Sequence, residues 1–284
     1  MRRQFKDTCL DLASRDDKIV MVFGDISVFL FRDFRTAYPN RFYNMGICEQ
    51  ALISTSAGLS SQGFVPFVHS IGPFITERAM EQIKLDCCYN NFPVNIVSCG
   101  GTFDYAWDGA THHAWTDLAF MRLLPGTEVF QPGNAKEVEK LMHWHYRSRK
   151  TSYFRLSDNP HTLSFDIEKE KGIIVRDVGS KVTVVTAGPI LDYVMKASEN
   201  LDVNILYFHT LKPFDHELLN RFSKTKIKVV HDSFGLFESV CESSGVVVEK
   251  LSLPDHFCCC YGTIHDVRKM AGLGISEIRD FLIK

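Results

Sequence analysis

Glu49 is the residue whose surroundings first indicate chemistry in this chain of 284 residues. It follows the small and apolar run 45–48, and a segment with helical spacing, rich in serine, alanine and leucine, comes directly after it. Gly63 is expected to end that helix, because glycine readily adopts the positive φ of a helix C-terminus. A carboxylate at this place is either a solvent-facing helix cap or a group held in an apolar pocket for proton transfer. The residue pattern alone leaves both readings open.

A second candidate stretch is the segment W-D-G-A-T-H at residues 107–112, in a loop rich in glycine and aromatic residues. It places an acid, Asp108, shortly before an imidazole, His112. An Asp-Gly pair is an ordinary turn former, and a histidine after it is not unusual. The segment therefore supports a function only if the sequence around it does.

The elements that must position these residues alternate along the chain. Residues 18–23 and 93–99 are short continuous apolar runs, which are typical of strands buried on both faces of a sheet. Helical segments with one apolar side separate such runs. This alternation predicts an α/β fold in which a mostly parallel sheet is flanked by helices.

A change in composition divides the chain into two such units. Residues 159–181 are polar and charged and show no helical period, so we predict a linker there. We expect a first α/β domain over residues 1–158 and a second over residues 182–284, each with a mostly parallel sheet flanked by helices.

Charge and composition argue against several classes of partner. The formal net charge of -2 gives no reason for nucleic-acid binding, and no apolar run reaches the length of a membrane span. The nine cysteines include no C-x-x-C pair, so a zinc site has little support and we predict no metal ligand in this chain. Free thiols are typical of a reducing compartment, and we predict a cytoplasmic protein.

Three short motifs occur in a fixed order from Glu49 onward: E-Q at residues 49–50, G-x-x-P at residues 63–66 and R-A-x-x-Q-I at residues 78–83. This ordered set resembles the pyrimidine-binding domain of the transketolase family. Later, K-P-F-D at residues 212–215 resembles the K-P-x-D of that family's C-terminal domain. Deoxyxylulose-phosphate synthases and the β subunits of 2-oxo-acid dehydrogenases share the first domain, so the resemblance specifies the cofactor better than the substrate.

The resemblance implies thiamine diphosphate as the cofactor and gives Glu49 a catalytic role. In the family this carboxyl holds the aminopyrimidine ring of the cofactor, whose own amino group then acts as the base. That ring also needs a flat apolar partner. The resemblance assigns Phe74 to this place, with Phe67 as a second, weaker candidate.

The segment at residues 107–112 resembles the family's E-D-G-x-T-H loop. This implies that Asp108 and His112 hydrogen-bond the hydroxyl and carbonyl groups of the substrate. His112 is implied to be catalytic as well.

The resemblance also implies a partner subunit. The family's N-terminal domain carries a G-D-G…N motif that binds Mg²⁺ and the diphosphate, and no such motif follows Gly24 and Asp25 here. We therefore expect a separate N-terminal subunit that holds the Mg²⁺ and the diphosphate. Two copies of this chain would then form the homodimeric core of a heterotetramer.

Three positions depart from the relatives that use sugar phosphates. Gly100, Phe29 and Asp158 stand where those enzymes have a histidine, a serine and an arginine that hold the distal phosphate. Asp158 is expected to lie beside the acceptor and to repel a phosphate. We therefore predict an acceptor that is not a simple sugar phosphate, unless Arg2 or Arg3 supplies a replacement cation.

Three functions remain open from the sequence. The first is a subunit of a thiamine-diphosphate-dependent, transketolase-like enzyme that transfers a two-carbon ketol unit to a sugar-derived aldehyde or ketone. The second is the β subunit of a 2-oxo-acid decarboxylating enzyme, which usually lacks the D-G-x-T-H loop. The third is a non-catalytic scaffold partner. The combined presence of Glu49, Asp108 and His112 favours the first.

Overall fold

The computed structural model describes residues 1–243 and 247–284, which form one sheet of seven strands and one of five. Both sheets are mostly parallel and have helices packed against them. The predicted α/β fold class with two helix-flanked parallel sheets is therefore confirmed. None of the helices in these ranges is both long and apolar enough to cross a lipid bilayer.

The strands are numbered in chain order. They are β1 (Ile19–Phe23), β2 (Phe42–Asn44), β3 (Val65–Ile71), β4 (Asn95–Cys99), β5 (Thr127–Phe130), β6 (Thr151–Arg155), β7 (Ile173–Arg176), β8 (Val182–Ala187), β9 (Asn204–Phe208), β10 (Thr210–Lys212), β11 (Lys226–Val230) and β12 (Val248–Leu251).

The helices are short, apart from those that cover the first sheet. They are α1 (Arg2–Arg15), α2 (Arg32–Ala37), α3 (Glu49–Ser61), α4 (Gly72–Thr76), α5 (Met80–Gln82), which continues as a π-helix (Ile83–Tyr89), α6 (Asp117–Leu123), α7 (Ala135–His145), α8 (Leu191–Ala197), α9 (His216–Arg221), α10 (Leu236–Cys241), α11 (Ile264–Met270) and α12 (Ile275–Ile283).

The first sheet has the order β10-β5-β6-β4-β3-β1-β2, and every neighbouring pair is parallel except β10 with β5. Strands β1 and β4 are buried along their whole length, as their apolar runs predict. The chain leaves β1 for β2 and then returns to β3 on the other side of β1. Such a reversal opens a crevice at the carboxyl ends of a parallel sheet, where ligands usually bind.

Each face of the first sheet is covered by its own helices. On one face, Leu52 and Ile53 of α3 pack with Val68 of β3, and this apolar cluster continues into β8, β9 and β11 of the second sheet. On the other face, Phe5 of α1 and Leu141 of α7 pack against β1 and β3. The two sheets therefore share a continuous core.

Two strands depart from the division predicted from composition. β7 falls inside residues 159–181, because its run Ile173 to Val175 is β-branched and pairs with β9 as an antiparallel edge. β10 belongs by position to the second unit, yet it pairs with β5 of the first sheet. The second sheet has the order β12-β11-β8-β9-β7 and is otherwise parallel.

Three buried histidines make the fold sensitive to acid. The side chains of His69, His209 and His231 are at most 1% exposed, and burial lowers the pKa of each to about 4. Because the ordinary pKa is 6.5, the unfolded chain takes up protons where the folded chain does not. The free energy of unfolding is therefore expected to be fully present above pH 6.5 and to fall as the pH decreases towards 4.

Denaturant titrations across this pH range will measure the loss. His69→Gln removes one of the three groups and should give a shallower dependence of the unfolding free energy on pH than the natural chain. An unfolding free energy that stays constant between pH 6.5 and 4 would contradict the assignment.

Candidate active site

Glu49 is the first residue of α3 and lies at the carboxyl end of the first sheet, where it is 1% exposed. Its Oε1 accepts a hydrogen bond from Oγ of Ser70 in β3 at 3.0 Å. Its Oε2 accepts one from Nη1 of Arg78 at 2.6 Å. A carboxyl with this burial and two protein donors is not a solvent-facing helix cap.

A flat apolar surface lies beside this carboxyl. Phe74 of α4 has the guanidinium carbon of Arg78 at 4.4 Å from the centre of its ring. The imidazole of His112 meets the same ring edge-on, with the two centroids 5.0 Å apart. Arg78 thus contacts both Glu49 and Phe74. We call these four residues, Glu49, Phe74, Arg78 and His112, the Glu49 cluster.

The orientation of His112 is set by its neighbours in the loop after β4. It ends a 3₁₀ turn, Ala110–His112, and its Nδ1 lies 3.0 Å from Oγ1 of Thr111. The ring of Tyr105 lies 6.3 Å away, nearly perpendicular to the imidazole. Burial raises the pKa of the Tyr105 hydroxyl, which donates to Sγ of Cys99 at 3.4 Å. A neutral Tyr105 is therefore anchored to β4 next to the imidazole.

The loop that carries Asp108 and His112 is closed at its base. Thr102 and Ala114 pair as an isolated antiparallel bridge. Arg155, at the end of β6, donates to Oγ1 of Thr102 at 2.5 Å and to the carbonyl oxygen of Ala114. Asp108 is exposed on this loop, and among the described residues no side chain holds its carboxylate. The structure thus brings His112, but not Asp108, into the Glu49 cluster.

Phe67, the second candidate for the cofactor ring, lies on the other face of β3. Side chains alternate along a strand, so Val68 and Ser70 face α3 while Phe67 and His69 face α1. Phe67 is 0% exposed, and its ring centroid lies 6.4 Å from that of Phe5. A fully enclosed ring offers no face to a ligand, so the structure does not support Phe67 as a cofactor contact.

Asp158 does not present a free negative charge. Its carboxylate oxygens accept hydrogen bonds from Nε and Nη2 of Arg2 at 3.1 and 2.8 Å. Buried Asp104, whose pKa is raised by desolvation, accepts from the backbone N–H of Asp158 at 2.9 Å and fixes its position. The expected repulsion of a phosphate by Asp158 therefore needs correction. The charges of Arg2 and Asp158 offset each other, and Arg2 is not free to bind an anion.

The family resemblance aligns Gly100 with a histidine of phosphosugar enzymes, and the fold allows no such residue at this position. Its φ is 77°, and a Cβ there would lie 2.3 Å from the ring of Tyr105. Any larger residue would displace Tyr105, which is the neighbour of His112. Phe29, which the resemblance aligns with a serine, is 87% exposed in the loop after β1.

Three contacts of the site were not predicted from the sequence. Arg78 follows Phe74 at helical i,i+4 spacing within the recognised motif, and this spacing indicates a shared face. Ser70 is a residue that strand alternation could have identified once Glu49 was placed. Tyr261 comes from the second unit, and its ring lies 2.8 Å from where a Cβ on Gly109 would be. No sequence pattern connects those two positions.

A family model described as "Transketolase, pyrimidine binding domain" matches residues 1–160, which contain the whole Glu49 cluster. The chain belongs to the transketolase family. The match covers 160 of the 284 residues of the chain.

Relatives of this chain include single subunits of transketolases. One component of the apulose-4-phosphate transketolase of Phocaeicola vulgatus is 29% identical, over 96% of this chain and 93% of its own length. One component of the 6-deoxy-6-sulfo-D-fructose transketolase of a Clostridium species is 28% identical, over 78% of this chain and 71% of its own.

A solved structure described as "Split gene transketolase, inactive beta4 tetramer" has a TM-score of 0.86 and 27% identity, covering 99% of this chain and 96% of that chain. The predicted similarity to the C-terminal subunit of a split transketolase is confirmed.

The residues of this transketolase chain fit the pyrimidine half of thiamine diphosphate, the cofactor of the family. This fit rests on the position of Arg78. Its planar guanidinium lies over the ring of Phe74 and donates a hydrogen bond to Glu49. A single flat group that carries N–H donors can therefore stack on the ring of Phe74 and donate a hydrogen bond to the carboxyl of Glu49 at the same time. An aminopyrimidine ring has the same two properties.

Proposed function

We propose that this chain is the pyrimidine-binding subunit of a two-component transketolase that transfers a two-carbon ketol unit to an aldehyde or ketone acceptor. The observation that carries the proposal is the Glu49 cluster, in which a buried carboxyl, a flat aromatic ring and an imidazole meet at the carboxyl end of a parallel sheet. A scaffold without catalysis would have no need to keep a carboxyl buried there.

The side chains of the chain take separate roles in this proposal. Glu49 would hold a ring nitrogen of the cofactor and exchange a proton with it, while Phe74 packs against the ring face. His112 would hydrogen-bond the reacting oxygen of the substrate, and Asp108 a hydroxyl further along. Thiamine diphosphate, when bound, supplies the nucleophilic carbon and takes up the electron pair of the broken carbon–carbon bond.

The remaining parts of the active enzyme would come from a partner. An N-terminal subunit would hold the diphosphate and Mg²⁺, and two copies of this chain would form the homodimeric core of a heterotetramer. The structure of 27% identity is described as an inactive tetramer of β chains, which supports the need for a second subunit. We place the enzyme in the cytoplasm, since all nine cysteines are free thiols.

Calorimetry on the separate and combined subunits tests this division of roles. We expect the isolated chain to bind thiamine diphosphate weakly and without dependence on Mg²⁺. Addition of the N-terminal subunit should give tight, Mg²⁺-dependent binding together with two-carbon transfer from a ketose donor. Tight Mg²⁺-dependent binding by this chain alone would contradict the proposal, as would transfer activity without the partner.

We propose further that the acceptor is not a simple sugar phosphate. The names of the two relatives above support a sugar-derived substrate, but both of those substrates carry a terminal anion. In this chain the Arg2–Asp158 pair has no net charge, and Gly100 replaces a phosphate-binding histidine. Arg2 and the position of the missing histidine therefore offer no free cation here, and Arg3, which is exposed, is the remaining N-terminal arginine that could meet an anion.

Asp158→Asn is expected to improve the use of sugar phosphates. The amide carries no charge, so Arg2 becomes available to an anion, and one charge-assisted contact lowers KM for ribose 5-phosphate by about tenfold. Steady-state kinetics of the assembled enzyme measures this. Asp166→Asn is the control. Asp166 lies in the predicted linker and is paired with Lys140 of α7, so its substitution should leave KM unchanged. The proposal about the acceptor is wrong if the natural enzyme uses ribose 5-phosphate with the same efficiency as non-phosphorylated acceptors.

A further inference from the structure

A cavity of about 580 Å³ opens at the end of the first sheet opposite to the Glu49 cluster. Its lining comes from three segments, residues 60–65, 91–95 and 146–150. These segments lead into β3, β4 and β6, which are neighbours in the sheet, so the cavity spans the amino ends of three parallel strands. We call it the amino-end cavity. Its volume is that of a small-molecule site, and the proposed transketolase reaction does not use it.

The lining of the amino-end cavity is positively charged. It contains three cationic side chains, those of Arg147, Arg149 and Lys150, and no carboxylate. Arg147 is paired with Asp16 at 2.6 Å, which offsets its charge. Arg149 and Lys150 are exposed, and within the part of the chain that the structure describes no carboxylate pairs with either of them. An anionic group in the cavity would therefore meet two available cations.

A nearly buried amide, that of Asn95, contributes an unused acceptor to the same cavity. Asn95 is 5% exposed, and its Nδ2 donates to the backbone carbonyl oxygens of Pro66 and Tyr146 at 3.4 and 2.9 Å. Because only the amide nitrogen can donate to these two carbonyls, they fix the orientation of the side chain. Its Oδ1 accepts no hydrogen bond from the described residues, and Asn95 lines the cavity. This oxygen is therefore available to an N–H or O–H group of a ligand.

Apolar rings complete the lining. Phe64, which precedes β3, and Phe92, which precedes β4, are both half-buried and border the cavity. The two available cations instead precede β6, on the other side of β4. A ligand that used the whole cavity would therefore place an apolar part next to the rings and an anionic part next to the cations, with a hydrogen-bond donor near Asn95 between them.

We propose that the amino-end cavity binds a nucleoside phosphate. The phosphate pairs with Arg149 and Lys150, the flat base packs against the phenylalanine rings, and an N–H of the base or a hydroxyl of the ribose donates to Asn95. Inorganic phosphate supplies only the first of these contacts, and an uncharged nucleoside supplies only the other two. The site lies at the end of the sheet opposite to Glu49, so the proposal does not depend on the two-component transketolase reaction.

Calorimetry on the full-length chain with AMP as the probe tests the proposal. AMP should bind at one molecule per chain, and at least about tenfold more tightly than either inorganic phosphate or adenosine, because each of these lacks part of the contacts. Arg149→Met should weaken AMP binding by at least about tenfold and leave adenosine binding unchanged. Because Arg149 is exposed in a loop, this variant is expected to fold.

Two controls separate this cavity from other places where AMP could bind. Arg35→Met removes an exposed arginine of α2, outside the cavity, and should bind AMP as the natural chain does. Phe74→Leu alters the Glu49 cluster and should also leave AMP binding unchanged. The proposal fails if AMP does not bind, if inorganic phosphate or adenosine binds as tightly as AMP, if Arg149→Met binds AMP normally, or if Phe74→Leu abolishes its binding.

Discussion

Glu49→Gln in the assembled two-component enzyme is expected to lower kcat by about a thousandfold, or about 4 kcal/mol in activation free energy. The amide has the size of the carboxyl and can still accept the hydrogen bond from Ser70, so the fold should be kept. It cannot exchange a proton with the cofactor ring, which is the step assigned to this residue. Steady-state kinetics, together with circular dichroism and the thermal midpoint, separates loss of function from loss of structure.

Glu81→Gln is the matched control, because it removes an exposed carboxylate from α5 of the same unit. Its kcat should equal that of the natural enzyme. Near-normal turnover by Glu49→Gln would refute the role of this carboxyl. The Glu49 cluster would then be a structural ion pair between Glu49 and Arg78 and nothing more.

The sequence identified the parts of the site that depend on local pattern. The buried strands β1 and β4 and the helix after Glu49 follow from apolar runs and spacing, and the ordered motifs identified the family. The assignment of Phe74 rests on the family resemblance, and the structure places its ring beside Glu49 through Arg78. Local pattern was sufficient because Glu49, Phe74 and Arg78 come from one continuous stretch of chain.

The features that sequence reasoning missed depend on contacts between distant segments. The pair of Arg2 with Asp158 joins residues at opposite ends of the first unit, so a charge expected to repel phosphate is offset by a partner. Likewise, the crossing of β10 into the first sheet is fixed by pairing with β5, and its own three residues carry no signal of this partner. Pair contacts of this kind leave no periodic trace along the chain.

Arg155→Met is expected to destabilise the chain by about 3–5 kcal/mol, the scale for removing one partner of a buried ion pair. Arg155 is 2% exposed, and its Nε lies 3.2 Å from Oδ2 of Asp117, which is fully buried. Burial raises the pKa of Asp117, and the charge of Arg155 opposes that rise. Without Arg155 the carboxyl stays inside the fold with no counter-charge. Denaturant titrations measure the loss.

The same substitution should also weaken substrate binding by the molecules that remain folded. Nη1 of Arg155 donates to Oγ of Ser233 in the second unit at 2.7 Å, and its Nη2 bonds to Thr102 and Ala114. One guanidinium therefore joins the two units to the base of the loop that carries His112. Loss of these bonds loosens the loop, so KM for the acceptor should rise more than kcat falls.

Arg147→Met is the control for the general effect of losing an arginine. Its partner is Asp16 at 2.6 Å, but Arg147 is 54% exposed, so the loss should be at most about 1 kcal/mol. The double variant Arg155→Met with Asp117→Asn should regain part of the lost stability, because no unpaired charge is left buried. If Arg155→Met proves as stable as Arg147→Met, Asp117 is neutral in the fold. Arg155 would then act on the loop through its hydrogen bonds alone.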